Sequence, residues 1–418
     1  MRILFVIHQF FPEFGGGTEH VALNLARMAQ RGGHHVQVLA CGVQPGAVEG
    51  AAQPVPVPGS VRTVYEGLPV TLLPRSALPA SAEIAFDADD AVAGAVAEWM
   101  RAEAFDLAHV MHTMRMGTAV LALQRAGIPY VASLTDFFLP CAQINLVNLA
   151  GSPCEGPLEG ERCARDCLAA PWTQPAYAAR YQQARSLLTA AAERCAPSAF
   201  VADRYREAFP GLTFRVLPHG LDLLKLAAPS TPPPVREAGP LKLVYVGSVV
   251  RQKGLDVLLR ALAMVPQAGV RLSIVGGFWG NSGYHAEVRA LADADARVEF
   301  VGKLAPPQVF QRLREADLLC VPSRVPESFS LVLHEAAAAG TPALVSALGA
   351  PAGFVETHQC GQAIAAGDAA AWARAIAELA EHRERIATWR GRLPLPLRVE
   401  EEAFFYESLY RRIERAPT

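Results

Sequence analysis

Short apolar runs alternate along the chain with segments whose apolar positions recur at helical spacing. In the first half, the runs at 3–7, 36–40, 107–111 and 130–134 predict buried strands, since strands covered on both faces need no polar alternation. Helical spacing covers 19–31, 85–103 and 117–126. The Pro- and Gly-rich stretch 45–79 predicts a loop with short extended pieces at 61–65 and 70–73. A second start follows Ala228-Pro229-Ser230-Thr231-Pro232-Pro233-Pro234, whose prolines suit a stiff connection. Strands are then predicted at 241–247, 272–276, 298–301, 318–322 and 343–346, with a helix over 255–264 and further helices between. A last helix, 399–413, carries Phe404, Phe405, Tyr406 and Tyr410 and is expected to pack across a domain surface.

Strands alternating with helices argue for an α/β class with parallel, doubly wound sheets. A chain of 418 residues exceeds one hydrophobic core. The expected division is 1–215, with 399–418 packing back on it, and 216–398. Each half opens with strand, glycine-bearing loop and helix, so the default site is a cleft faced by the strand ends of two Rossmann-like domains.

Composition narrows the function. Hydrophobic residues make up 51% and charged residues 19%, the balance of a folded chain rather than a disordered one. A net charge of −2 argues against nucleic acid as the partner. The apolar start at 1–7 is too short for a signal segment, and no run approaches the roughly 18 apolar residues of a membrane span. A cytoplasmic protein with at most a peripheral membrane contact, through an Arg-bearing helix over 177–194, is expected.

The most informative chemistry lies in Pro322-Ser323-Arg324-Val325-Pro326-Glu327-Ser328-Phe329-Ser330-Leu331-Val332-Leu333-His334-Glu335-Ala336. Glu335 stands in an otherwise apolar run, and a buried unpaired carboxylate costs several kcal/mol (roughly). Ser330 reads as an N-cap, which puts Glu335 on the following helix and Glu327 in the loop before it. Complementing the helix dipole is the plain alternative for Glu335. In the first half, Gly15-Gly16-Gly17-Thr18 lets backbone approach a ligand, with Thr18 placed to cap the helix, although a plain tight turn explains the glycines too. In the second half, Gly247-Ser248-Val249-Val250-Arg251-Gln252-Lys253-Gly254 sets two cations at a helix start, where they oppose the dipole unless an anion such as a diphosphate sits there. Both cations simply pointing into water is the competing reading. His112 ends a strand and reads as a ligand contact or as an ordinary edge histidine, while His219 reads as structural.

Four of the eight cysteines, Cys141, Cys154, Cys163 and Cys167, share one Gly- and Pro-rich stretch with spacing C-x12-C-x8-C-x3-C. Structural zinc, free thiols, and a disulfide or iron cluster all remain open for them.

Taken together, Gly-Gly-Gly-Thr-Glu after the first strand, the Gly247–Asp256 loop, Pro218-His219-Gly220-Leu221-Asp222, Ala316-Asp317 with Pro322-Ser323, and the Glu327–Glu335 pair resemble glycosyltransferase family 4 in content and order. The resemblance implies the GT-B fold and retaining transfer from a nucleotide sugar. It implies that Lys253 binds the diphosphate with Arg251 nearby, that Glu335 accepts from ribose hydroxyls, and that Glu327 lies near the transferred sugar. It further implies that Phe329, Ser330 and Leu331 offer backbone to sugar and phosphates, that Gly16 and Gly17 close over the phosphates, and that Lys303 and Leu304 hold the base. The chain departs from the family where Ser248 replaces a common Arg, Thr135 a common His before Asp136, and Ser330 a common Gly. Asp136 is then the expected polar contact to sugar. A branch of the family carries a similar cysteine-bearing segment.

The expected activity is transfer of a sugar from a nucleotide-sugar donor, UDP- or GDP-linked, to a glycan, lipid-linked or small-molecule acceptor. No cofactor is required for catalysis, and the candidate catalytic residues are Glu327, Asp136 and Lys253. The rivals are a non-catalytic nucleotide-sugar-binding protein and a GT-B nucleotide-sugar epimerase.

Overall fold

The computed structural model describes residues 1–42, 56–167, 172–226, 239–267 and 269–415. The proline connection at 228–234 and residues 45–55 of the predicted loop lie outside them. The chain forms two compact units, Met1–Gly220 with Val399–Thr418, and Leu221–Arg398.

Unit 1 is built on an eight-stranded sheet. Its strands are β1 (Arg2–Ile7), β2 (His35–Gly42), β3 (Val61–Tyr65), β4 (Leu68–Pro74), β5 (Leu107–Val110), β6 (Tyr130–Ser133), β7 (Glu193–Ala196) and β8 (Arg215–Val216), in the spatial order β3-β4-β2-β1-β5-β6-β7-β8. Its helices are α1 (Gly17–Arg31), α2 (Asp90–Ala102), α3 (Gly117–Ala126), α4 (Glu161–Asp166), α5 (Gln174–Ala190) and α6 (Ala199–Ala208). Every pairing is parallel except β3 with β4. That hairpin turns on Glu66 and Gly67, both at positive φ, the two-residue turn whose twist matches its strands. Residues Ile3 to Ile7 are fully buried, each apolar side chain contributing about 1.5–3 kcal/mol, which is why this run made a central strand.

One expectation needs correction. The helix predicted over 177–194 stops at Ala190, and Glu193–Ala196 becomes β7. The helix also turns Tyr177, Arg180, Tyr181, Ala184, Leu187 and Leu188 into the unit, and Arg180 is spent donating to the carbonyls of Ile84, Leu139 and Phe138.

Unit 2 carries β9 (Leu241–Val246), β10 (Val270–Val275), β11 (Val298–Gly302), β12 (Leu318–Val321), β13 (Ala343–Ser346) and β14 (Gly361–Ile364). They form an all-parallel sheet in the order β11-β10-β9-β12-β13-β14. Its helices are α7 (Leu255–Met264), α8 (Ser282–Asp293), α9 (Pro306–Glu315), α10 (Leu331–Ala338), α11 (Gly349–His358), α12 (Ala369–Glu381) and α13 (Glu384–Arg390). Strand order reverses between β9 and β12 in this unit and between β1 and β5 in unit 1. At such switch points the loops leaving the strands part in opposite directions and open a crevice.

The last helix, α14 (Val399–Glu414), belongs to unit 1. Polar groups fasten it there. His109 on β5, fully buried, bonds Tyr410 Oη at 2.6 Å and Ser133 Oγ at 2.7 Å, and burial pushes its pKa down to about 3. Ser133 also bonds Tyr406. Glu402 accepts from His219 Nδ1 at 3.0 Å and from the Gly220 N–H at 2.8 Å. His219 is thus structural. Glu402→Ala leaves those donors buried without an acceptor, so we expect a loss of about 2–4 kcal/mol in denaturant unfolding followed by circular dichroism. An unchanged midpoint would show that the Glu402 bonds contribute nothing to the docking of α14.

Candidate functional site

In unit 2 the loops after β9 and β12, which flank the switch point, are fastened to each other. Gly254 has φ +66°, and a Cβ there would stand 2.0 Å from the Pro322 carbonyl oxygen, so only glycine permits the approach. The Arg324 N–H donates to the Gln252 carbonyl at 2.8 Å. Asp256, 1% exposed, accepts from Tyr284 Oη at 3.0 Å and pairs with the Arg324 guanidinium. The sequence offered a signal for Asp256, since it too is a charge in an apolar helix face.

This fastening brings Lys253 to Glu327, Nζ to Oε1 2.9 Å. The Ser323 hydroxyl donates to the same oxygen. Glu327's backbone is fixed as well: Ala350 N–H donates to its carbonyl at 2.9 Å, and Gly349, φ +70°, passes so close that a Cβ would lie 2.5 Å from the Glu327 nitrogen. Burial works to raise the pKa of the Glu327 carboxyl. The Lys253 charge and the hydroxyls of Ser323 and Ser330 outweigh it and hold the group below its ordinary value. Lys253 is therefore an ion-pair partner, not the solitary cation of the dipole argument. Its side chain remains 40% exposed, and an ammonium has three donors.

Glu335, on α10, contrasts with it. No hydrogen bond or ion pair reaches its carboxylate among the described residues, and burial pushes its pKa up to about 7. Ser330 does precede α10, but with left-handed backbone, φ 68° and ψ 81°, and its side chain caps nothing. A left-handed residue turns its own side chain away from the first helical N–H groups, which explains both the failed cap and the family's preference for glycine there. Phe329, buried, stacks on His334 with centroids 3.8 Å apart, and Leu331 opens the helix.

The remaining residues expected in unit 2 divide. Ser248 is exposed at the strand end, its carbonyl accepting from Tyr245 Oη at 2.8 Å. Arg251 is turned onto Glu287 at 2.9 Å and over the Tyr284 ring at 4.8 Å, a structural engagement instead of a free cation. Lys303 follows β11 and lies along Gly277, where a Cβ would meet its Cε at 2.5 Å; Leu304 packs on the core.

In unit 1 the glycine loop precedes α1, but Thr18 does not cap it. Gly16 holds the cap position, and its N–H donates to Glu19 Oε2 at 2.7 Å; Gly17 is the first helical residue. Asp136, after β6, accepts from His112 Nε2 at 2.6 Å. His8, after β1, lies with its ring 4.0 Å from that of His112. No disulfide joins the four clustered cysteines; burial first, then the nearness of Cys141, Cys154 and Cys167, raises Cys163 to about 12. Among the described residues no three His, Cys, Asp or Glu side chains form a group that could hold a metal ion as they stand.

Known proteins carry the same architecture. Residues 16–220 match the family described as "Glycosyl transferase 4-like domain", and residues 240–382 match "Glycosyl transferases group 1". The D-inositol 3-phosphate glycosyltransferase of Nocardia farcinica is 34% identical over 152 residues, 34% of this chain and 34% of the relative. That of Corynebacterium efficiens is 34% identical over 149 residues, 34% and 35% of the two chains. These matches thus span about a third of the relatives' length. Among solved structures, Anabaena Alr3699/HepE in complex with UDP and glucose superposes with a TM-score of 0.67 at 18% identity, over 98% of this chain and 99% of that one. Sucrose-phosphate synthase from Thermosynechococcus elongatus gives 0.69 at 19% identity, over 99% and 98%. The solved structures share the fold of two Rossmann-like sheets, and the chain joins a glycosyl transferase 4-like domain, residues 16–220, to a glycosyl transferases group 1 domain, residues 240–382.

Proposed function

We propose that the protein is a retaining glycosyltransferase that moves a hexose from a nucleotide sugar to an acceptor hydroxyl. The observation that carries the reading is Glu335, a half-buried carboxylate with no partner among the described residues, on the helix that follows the loop of the Lys253–Glu327 pair. A ribose diol supplies the missing donors, one hydroxyl to each oxygen. Lys253 and the first N–H groups of α7 and α10 meet the diphosphate, and Glu327 stands by the transferred sugar. As the bond from C1 to the leaving phosphate oxygen breaks, the acceptor oxygen bonds C1 on the same face and its proton passes to that phosphate. Charge developing on the leaving group is what Lys253 stabilises.

UDP with glucose, bound by the Anabaena relative, supports a UDP-linked donor, and the inositol phosphate relatives support a polyol acceptor. The cysteine segment favours the cysteine-bearing branch of family 4. Zinc on Cys141, Cys154, Cys163 and Cys167 would in this reading be structural and would draw the sulfurs closer than they now stand. About one equivalent of metal in freshly purified, reduced protein supports it; none in elemental analysis removes it.

The donor reading is tested by Glu335→Gln. We expect UDP-glucose affinity to fall by about 1.5–3 kcal/mol in calorimetry. The ligand-free protein should change in the opposite sense. The folded pKa of about 7 exceeds the ordinary 4.5. Between those values the folded chain keeps a proton that the unfolded chain has released, so wild-type stability falls as pH rises from about 4.5 to 7. The glutamine variant escapes that fall and should be the more stable protein at pH 8, with the gap closing at pH 4. Equal donor affinity in the two proteins would refute the ribose role. Lys253→Ala should lower turnover by about a hundredfold and affect donor affinity less; wild-type turnover would remove the leaving-group role.

A further inference from the structure

His8, His112 and Asp136 come from three loops at one edge of the unit 1 sheet, after β1, β5 and β6. The Met114 N–H donates to His112 Nδ1 at 3.2 Å, which leaves the ring's Nε2–H to donate to Asp136 Oδ2 at 2.6 Å. Both ring nitrogens are thereby used, and only 4% of the His112 side chain is exposed against 29% of Asp136. Asp136 Oδ1 accepts from the Phe138 N–H at 2.9 Å, and its carbonyl accepts from Tyr205 Oη at 2.8 Å. The carboxylate is fixed at both oxygens, yet each keeps a lone pair, and it is the part open to solvent.

Behind it, the His8 ring packs on His112 at 4.0 Å, and its Nδ1 is buried with no hydrogen-bond partner among the described residues. His8 Nε2 lies 3.5 Å from Glu19 Oε1, and the other Glu19 oxygen holds the Gly16 N–H. Burial first, then the His112 and Arg115 charges, keep the His8 pKa well below its ordinary value, so an uncharged ring faces His112. The chain of contacts runs from the glycine loop to Asp136.

We infer that Asp136 is a hydroxyl-binding carboxylate for a neutral polyol acceptor, one hydroxyl to each oxygen, and that His112 is its positioning residue. The chemistry follows from the charge. An anionic oxygen pair with two free acceptor sites takes a diol and repels phosphate or carboxylate.

The inference rests on the glycosyltransferase reading for what the polyol is used for, and the test separates the two. Transfer from UDP-glucose to glucose, galactose, mannose or myo-inositol is measured for wild type, Asp136→Asn, His112→Leu, His112→Gln and the double variant Asp136→Asn/His112→Leu. Glutamine retains a donor that reaches Asp136; leucine does not. We expect His112→Leu and Asp136→Asn each to raise acceptor KM at least about tenfold with donor affinity unchanged. His112→Gln should recover most of the loss, and the double variant should be no worse than Asp136→Asn. Thermal unfolding checks that each variant folds. Wild-type acceptor KM in His112→Leu, additive losses, or losses that track donor affinity would overturn the inference while leaving the transferase reading intact. If wild type transfers to none of the four, saturation-transfer NMR with the same polyols decides. Binding lost in Asp136→Asn supports the site; no binding to wild type, or binding kept by that variant, overturns it. A wild type that binds no nucleotide sugar fails the transferase reading itself.

Discussion

Everything assigned to unit 2 depends on how closely the β9 loop lies against the β12 loop. Gly254 beneath the Pro322 carbonyl sets the separation, and Asp256, buried and shared between Arg324 and Tyr284, holds it. Asp256 is buried while the Arg324 side chain is 35% exposed, so removing the arginine leaves a buried carboxylate short of its cation and costs more than the roughly 0–1 kcal/mol of a surface ion pair. Lys253 and Glu327 lie 74 positions apart in sequence and meet only because those two loops are locked. The pair that looks like the functional centre is a consequence of the packing beneath it.

Two glutamates with seven residues between them end in opposite electrostatic states. Glu327 has a cation and hydroxyls at hand and is held ionised; Glu335 has burial alone and stays protonated up to near neutrality. Neighbouring carboxylates with separated proton affinities can serve different tasks at one pH. Here one keeps a lysine placed, and the other waits for donors that no described residue supplies.

Much of this was legible in the sequence, and the failures have physical causes. Central parallel strands such as Leu241–Val246 announce themselves because both faces are buried. The strands Glu193–Ala196, Arg215–Val216 and Gly361–Ile364, at or next to a sheet edge, are short, and two of them bear charges, so pattern alone missed them. Glu335 could be found because a charge in an apolar run needs explaining. The His8–His112–Asp136 assembly could not, since each member stands alone on its own strand end and only the sheet order brings them together. Lys253 was half read: the helix-dipole argument found the cation but had no means of seeing a carboxylate delivered by another loop. Ser330 was misread because a serine before a helix is usually in extended backbone, and here φ is positive.

The return of α14 to unit 1 bears on how the chain is made. A ribosome releases Met1–Gly220 first, yet that stretch still has His109 and Ser133 waiting for Tyr410 and Tyr406, and His219 waiting for Glu402. Those partners emerge only after the whole of Leu221–Arg398 has been synthesised. Unit 2 is contiguous and can close during translation, whereas the amino-terminal unit must hold several buried polar groups open until the last helix arrives. The first part of the chain to be born is the last to be finished.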